Sequence, residues 1–511
     1  MERNTDRKEE QNSRVQLVLT DKAQPVELTA EITLPDYRSE ISRLLWVRPV
    51  LLPPARFVGG GKVDLSGPVR YQILYVGPDG VLYGAESEEG YAFSVPMEPR
   101  EGMDSGEGAE LSVDIRPDAV VSRVTGPRKL SVRCRALVRL QGYADKLLTP
   151  KMQGAGEPYR LCEAVENGRV TVGDTVYFDL ADSVETDADM GEIRVIGANG
   201  TVFLPDAVAA EGCVRCRGEA VISVLACADG DAAGVPFVLT RRIPFERELP
   251  VAGAAPDCRA RVMGTVGEVR TTVEEGRIAL EADVSLRAEL QGEDTAVICR
   301  DAYLQGHSAA CKMSEVPLWR AGPCGNRHFS VSGERLASEM GVPADAEVLY
   351  SVADAEAGER ESKEGRTVIS GQLRCHTLYR REGEYAVAEM AVPFRTVWEE
   401  DSDGMELCCT VSDCRVRLSG ESLRADAELQ ICARGYTHAP ARVLSEVSFT
   451  PADPAPRADM EICYPAPGES LWEVGKRYGV SPDSLAQANG LGADAPGETD
   501  SLADVKYLLI P

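Results

Sequence analysis

The residues best equipped for chemistry in this 511-residue chain are few and scattered. Cys213 and Cys216 have the CxxC gap that lets two thiolates share a zinc ion. They lie in EGCVRCRGEAV, an alternating strand pattern, and no second CxxC completes a four-ligand set, so half-buried strand thiols are expected. The four histidines, His307, His328, His376 and His438, form no HExxH or other close ligand pair. Gly59-Gly60-Gly61-Lys62 invites a phosphate-cradling loop. That loop needs a glycine where Arg56 stands and a hydroxyl where Val63 follows the lysine. No serine sits in GxSxG, and the carboxylates are too many for any pair to stand out. No catalytic residue, metal site or cofactor is assigned, and the expectation is a protein that is not an enzyme.

Binding chemistry concentrates near the C-terminus, in EICYPAPGESLWEVGKRYGVSPDSLAQANGLGADAPGETDSLADVKYLLIP. Ile462 and Tyr464 alternate on a first strand, and Pro465 to Gly468 turns into a helix whose free amides Glu469 or Ser470 can satisfy. Leu471, Val474 and Tyr478 give that helix one apolar face, and Gly479 ends it. Ser481 caps a second helix with Pro482 at its first position. Asn489-Gly490 makes a turn, and Tyr507 to Pro511 supplies the second strand of a βααβ unit. Trp472 lies off the apolar stripe. It is either an exposed anchor for a partner or a cap on a very small core.

The rest of the chain must carry this unit, and it is too long for one core. Apolar residues make up 43% and aromatics only 6%, so the cores rest on Val, Leu, Ile and Ala. The formal charge is −27, which argues against nucleic acid and anionic lipid as partners. MERNTDRKEEQNSR lacks the apolar centre of a secretory signal, and no run reaches the ~18–20 residues that cross a bilayer. The fifteen cysteines accordingly read as reduced thiols of a cytosol.

Three segments repeat. GGGKVDLSGPVRYQILYVGPDG, AAEGCVRCRGEAVISVLACADG and SKEGRTVISGQLRCHTLYRREG share a landmark glycine, Gly67, Gly218 and Gly371, at intervals of roughly 150 residues. Pro96, Pro244 and Pro393 follow as a second landmark, and a strictly alternating strand closes each copy. In the second closing strand, Ile278, Leu280, Ala282, Val284 and Leu286 face a core, while Glu281, Asp283, Ser285 and Arg287 face water. Short helices are expected at Ser39–Leu45, Asp189–Ile193 and Gly333–Met340. The fold class is mainly β: three tandem antiparallel repeats followed by a small βααβ domain. The divisions are a polar segment at 1–25, repeats at 26–145, 176–293 and 328–437, a linker at 449–458 and the terminal domain at 459–511. The stretches 146–175 and 294–327 read as irregular.

Leu34-Pro35, the GKVxxxG run from Gly61 to Gly67, Ile73 to Tyr75 and the late alternating strand together resemble the SPOCS domain of spore-coat proteins. GESLW at 468–472, KRYGVS at 476–481, Leu485, Asn489, Leu491 and the final Ile-Pro resemble the LysM domain. Three SPOCS-like repeats before a LysM domain is the order of the SipL-like family of coat morphogenesis proteins. The resemblance implies a scaffold on the mother-cell side of the forespore surface, in the cytoplasm. It also implies a LysM domain that contacts the SpoIVA-like coat ATPase and other coat proteins. LysM domains in general imply an N-acetylglucosamine glycan as ligand, which remains the alternative, as does a self-assembling coat subunit. The partner-binding residues implied are Ile462, Tyr464, Gly468, Leu471, Trp472, Tyr478, Asn489 and Leu491. The connection from Asn489 to Tyr507 carries Asp494, Glu498, Asp500 and Asp504 near the expected sugar groove, where they either meet a basic protein surface or are simply solvated.

Overall fold

The computed structural model describes residues 13–97, 108–154, 156–186, 192–229, 234–274, 276–452, 461–491, 500–502 and 505–511. Its first unit contains β1 (Arg14–Thr33), β2 (Arg43–Leu51), β3 (Ala55–Gly59), β4 (Lys62–Val76), β5 (Leu82–Pro96), β6 (Glu110–Gly126) and β7 (Lys129–Leu147). One sheet runs β1-β7-β6; in the other, β4 pairs β5 along one edge and β2 and β3 end to end along the other. The alternating apolar residues of the two sheets meet in a shared interior that includes Leu28, Ile32, Tyr71, Ile73, Leu130 and Val132. A short β8 (Lys151–Gln153) follows.

The second unit has β9 (Tyr159–Glu185), β10 (Glu192–Ala210), β11 (Cys213–Asp229), β12 (Pro236–Pro250), β13 (Arg259–Glu274) and β14 (Arg277–Tyr303), in sheets β10-β11-β12 and β13-β14-β9. After β15 (His307–Val316), the third unit has β16 (Trp319–Leu336), β17 (Glu347–Lys363), β18 (Arg366–Arg381), β19 (Glu384–Trp398), β20 (Gly404–Ser419) and β21 (Ser422–His438). Its sheets are β17-β18-β19 and β16-β21-β20. In all three units the last strand pairs both the first and the penultimate strand, and the remaining strands form the facing sheet.

The landmark glycines have a physical cause. Gly67, Gly218 and Gly371 stand directly opposite Tyr91, Phe245 and Phe394 on the neighbouring strand. A Cβ on Gly67 would come within 2.8 Å of the Tyr91 hydroxyl, one on Gly218 within 2.8 Å of the Phe245 ring, and one on Gly371 would overlap the Phe394 ring. Each glycine leaves room for an aromatic ring to lie across the strand. The prolines are less uniform. Pro244 and Pro393 pair with Glu219 and Gln372, next to the glycine, whereas Pro96 pairs with Lys62 at the strand end. Gly90, opposite Pro68, holds the equivalent place in the first unit.

Several expected loops and helices are strands. Residues 14–25, read as part of a polar segment, belong to β1, because Val15, Leu17 and Leu19 alternate into the interior ahead of the charged stretch. The stretches read as irregular contain β8, part of β9 and β14, β15 and part of β16. β9 and β14 pair from Arg277↔Glu185 to Tyr303↔Tyr159, well past the second unit. Arg43–Leu51 is strand rather than helix, held by pairing to β4. Of Asp189–Ile193, residues 189–191 lie outside the described residues, and Glu192 begins β10. Only Ala337–Met340 of the third candidate is helical, a single 3-10 turn ended by Gly341 at φ 70°. The expected linker 449–458 begins inside β22 (Ala441–Pro451), and 453–458 lie outside the described residues.

β15, β22 and β8 form one more sheet, packed with the extension of β9 and β14 around Cys299, Ala302, Leu444, Val447 and Phe449. Among the described residues no helix is long and apolar enough to cross a membrane.

The three units converge at several places, one being the buried cluster of Tyr143, Val170 and Trp319. Leu74, Leu225 and Leu378, equivalent by register, meet in one apolar cluster with Ile196 and Tyr385. Elsewhere Glu289, 0% exposed, accepts from Arg261 (2.6 Å) and Ser112 (2.7 Å) and forms an ion pair with Arg434 at 2.9 Å. Glu406 binds the same two arginines at 2.7 and 2.6 Å. Gln141 accepts from Arg434 at 2.7 Å, so all three units contribute. Ser285 and Arg287, read as solvent-facing, are buried because neighbouring units cover that end of the sheet; Arg287 donates to the Val113 carbonyl at 2.6 Å.

Candidate functional site

The terminal module comprises β23 (Glu461–Cys463), α1 (Leu471–Tyr478), α2 (Pro482–Ala488) and β24 (Leu508–Ile510). Its helix ends follow from local sequence. Ser470 caps α1 in a reciprocal capping box with Glu473, and Gly479 at φ 66° closes it. Ser481 caps α2 with Pro482 in its first turn. Between the two strands Asn489 acts as a clamp. Its amide donates to the Leu485 and Leu509 carbonyls at 2.8 Å each, and its carbonyl accepts from the Leu509 amide at 2.6 Å. Leu471, Val474, Leu485, Leu502 and Leu508 form the core, with Tyr478 and Leu491 packed on it.

Seven of the eight implied partner-binding residues therefore fall into two groups. Leu471, Tyr478, Asn489 and Leu491 hold the module together, and Gly468 takes φ 87° in the turn before α1. Ile462 and Tyr464 face outward, Tyr464 being 73% exposed. Pairing of Cys463 with Leu508, carried one residue further, sets Tyr464 opposite Tyr507, which is also exposed. Tyr507 is absent from the sequence-based set; stepping back from the inward Leu508 by one residue would have pointed it outward. Ile462, Tyr464 and Tyr507 thus form an apolar, hydroxyl-bearing face on the side of the sheet away from the helices.

Trp472 belongs to neither group. It is 4% exposed, and what covers it is the tip of the β9–β14 ladder. Its ring meets Tyr303 edge-on with centroids 4.8 Å apart, and its indole N–H donates to Asp301 at 3.0 Å. Lys476 binds the same carboxylate at 2.6 Å, and the Tyr303 hydroxyl donates to the Val480 carbonyl at 2.7 Å. Gly475 is what lets α1 approach: a Cβ there would come within 2.7 Å of the Tyr303 hydroxyl. Asp301 and Tyr303 were not singled out in the sequence, since they sit 171 and 177 residues from the groups they bind. The module is docked at a defined orientation, with its Tyr464 face turned outward.

Of the acidic connection, Asp494, Glu498 and Asp504 lie outside the described residues. Ser501 bridges to Ser470, and the Leu502 amide donates to the Glu469 carbonyl at 2.8 Å, tying the end of that connection to the turn before α1. Elsewhere, Cys213 is half-buried and Cys216 buried on β11. Three residues apart on a strand, they point to opposite faces. Burial pushes the Cys216 thiol up to about 11. Among the described residues no group of three or more His, Cys, Asp or Glu is placed to hold a metal ion.

The LysM domain model matches residues 466–496, so the chain carries a LysM domain at its C-terminal end. No curated protein and no solved structure matches the chain.

Proposed function

We propose that this chain is a non-enzymatic binding scaffold whose β body presents the LysM domain to an N-acetylglucosamine polymer. The observation that carries the reading is the docking of the LysM domain through Trp472 and Lys476, which leaves Ile462, Tyr464 and Tyr507 outward. Pyranose rings stack on tyrosine faces, and the phenol hydroxyls offer hydrogen bonds to acetamido and hydroxyl groups. A body that holds the domain still removes part of the ordering cost of binding. The test is co-sedimentation of the full chain with purified peptidoglycan. The wild type pellets, and the Tyr464→Ala/Tyr507→Ala variant stays in the supernatant. Equal pelleting of both would sink the proposal.

A second reading is a coat-assembly adaptor at the forespore surface, in the mother-cell cytoplasm, with the SpoIVA-like coat ATPase as the partner of the LysM domain. What favours it is the succession of three units of one topology before a terminal LysM domain, the order of the SPOCS-like resemblance. Co-purification from sporulating cells with and without residues 461–511 separates the readings. Loss of the ATPase on deletion, with no peptidoglycan pelleting by the intact chain, selects the protein partner.

A further inference from the structure

The three units differ at one equivalent position, and the difference leaves a hole. β2, β10 and β17 each bulge at the same register, with Leu45, Ile196 and Leu349 as the extra residues. The residue after each bulge pairs with Leu74, Leu225 or Leu378. Those residues are Trp46, Gly197 and Tyr350. The Trp46 and Tyr350 rings lie 6.1 Å apart where the units meet. The third position has no side chain, and a Cβ on Gly197 would meet nothing within 4 Å. A cavity of about 300 Å³ opens there, lined by Trp46, Gly197 and Tyr350 among others. Gly197 is not in the left-handed region, so its backbone does not call for glycine.

The walls indicate what fits. Arg48 is committed to Asn199 at 2.5 Å and to Asp354 at 3.1 Å, and Gln72 donates to the Ala198 carbonyl at 2.9 Å. Among the described residues, neither the Trp46 indole N–H nor the Tyr350 hydroxyl has a protein hydrogen-bond partner. The other charged groups on the wall also have partners, Arg38 donating to the Gly84 carbonyl at 3.3 Å and Glu86 lying 3.9 Å from Arg70, while two aromatic faces and two hydrogen-bonding groups are open. The volume lies at the small end of ligand pockets, and since an apolar cavity of about 150 Å³ already admits benzene, one substituted ring fits with room for its hydroxyl.

We infer that the cavity at Gly197 is a binding site for a neutral, phenol-like aromatic ring, which takes the seat that a side chain fills in the other two units. The ring packs against Trp46 and Tyr350 in tilted geometry, and its hydroxyl exchanges hydrogen bonds with the indole N–H and the Tyr350 hydroxyl. This site is separate from the LysM domain.

The test is calorimetric titration of the full chain with 4-methylphenol, the tyrosine side chain without its backbone. One saturable site is expected. Gly197→Tyr fills the seat from within and weakens binding at least tenfold while leaving the far-UV spectrum unchanged. Gly197→Leu does the same with a smaller side chain, and Tyr350→Phe weakens binding several-fold by removing the hydroxyl. Tyr464→Ala/Tyr507→Ala leaves it unchanged. A parallel titration with N-acetyltyrosinamide distinguishes the sources: binding as tight as 4-methylphenol assigns the seat to a partner's side chain, and much weaker binding assigns it to a free small molecule. Absence of a saturable site for both probes overturns the inference. So does undiminished binding by folded Gly197→Tyr, or failure of both Gly197 variants to fold.

Discussion

Replacing Glu289 with glutamine removes a buried charge on which the three β units converge. The carboxylate accepts from Arg261 Nε and Nη2 at 3.0 and 2.6 Å and Ser112 Oγ at 2.7 Å, and pairs electrostatically with Arg434 Nη1 at 2.9 Å and Arg287 at 3.5 Å. Glutamine keeps the shape but leaves three buried guanidinium groups with Glu406 and the nearby Asp114 as the carboxylates facing them. Breaking a buried ion pair this way costs about 3–5 kcal/mol. If the roughly 440-residue body unfolds as one, at about 2.1 cal/mol/K per residue, the melting temperature falls by about 3–5 °C. Burial works against the Glu289 carboxylate, but Arg261, Arg434 and Arg287 outweigh it and hold its pKa below the usual range. A depressed carboxylate stabilises fully above its unfolded value of ~4.3, and that contribution fades as pH falls towards the folded value. Scanning calorimetry of both chains should therefore show the full gap at pH 7 and a narrowing gap below about pH 4. A variant that melts within about 1 °C of wild type at pH 7, against the 3–5 °C expected, would refute the reasoning. A drop confined to one of several separate transitions would refute the single cooperative body.

Three further expectations follow from the packing. Gly371→Ala forces a methyl group into the Phe394 ring and the Glu356 carbonyl, so urea unfolding should show a loss of about 1–3 kcal/mol, partly recovered by adding Phe394→Leu. Asp301→Ala removes the acceptor of the Trp472 indole, a charge-assisted bond of about 1.5–3 kcal/mol, while the exposed Lys476 pair adds little. Small-angle scattering should then show a broader distance distribution; an unchanged profile would mean that the dock does not depend on this carboxylate. Burial pushes the Cys134 and Cys216 thiols up to about 11. Iodoacetamide at pH 8 should leave both unmodified in the native chain while exposed Cys162 is labelled, as mass spectrometry of the digests would report.

The terminal domain was legible because its instructions are local. Ser470 and Glu473, Gly479, and Ser481 with Pro482 fix two helices within a few residues of themselves. The landmark glycines were visible as a repeat, but the facing rings that require them lie over twenty residues away and could be found only through strand pairing. Alternation says which residues share a face of a strand, not what covers the other face. That is why Ser285 and Arg287 looked solvated and the Glu289 cluster went unseen. β1 was half missed because Lys22, Gln24 and Pro25 broke up an alternation that pairing to β7 tolerates. The seat at Gly197 becomes visible only when three bulges are superposed on one register.

The docking of the LysM domain also determines how tension passes through the molecule. A pull on the domain falls first on the Trp472 and Lys476 contacts with Asp301, at the far end of a β9–β14 pairing that runs from Tyr159 to Glu185. Force directed along those strands loads many backbone hydrogen bonds side by side in shear, instead of opening them one after another. The two paired strands then act as a tie rod, passing the strain into the body.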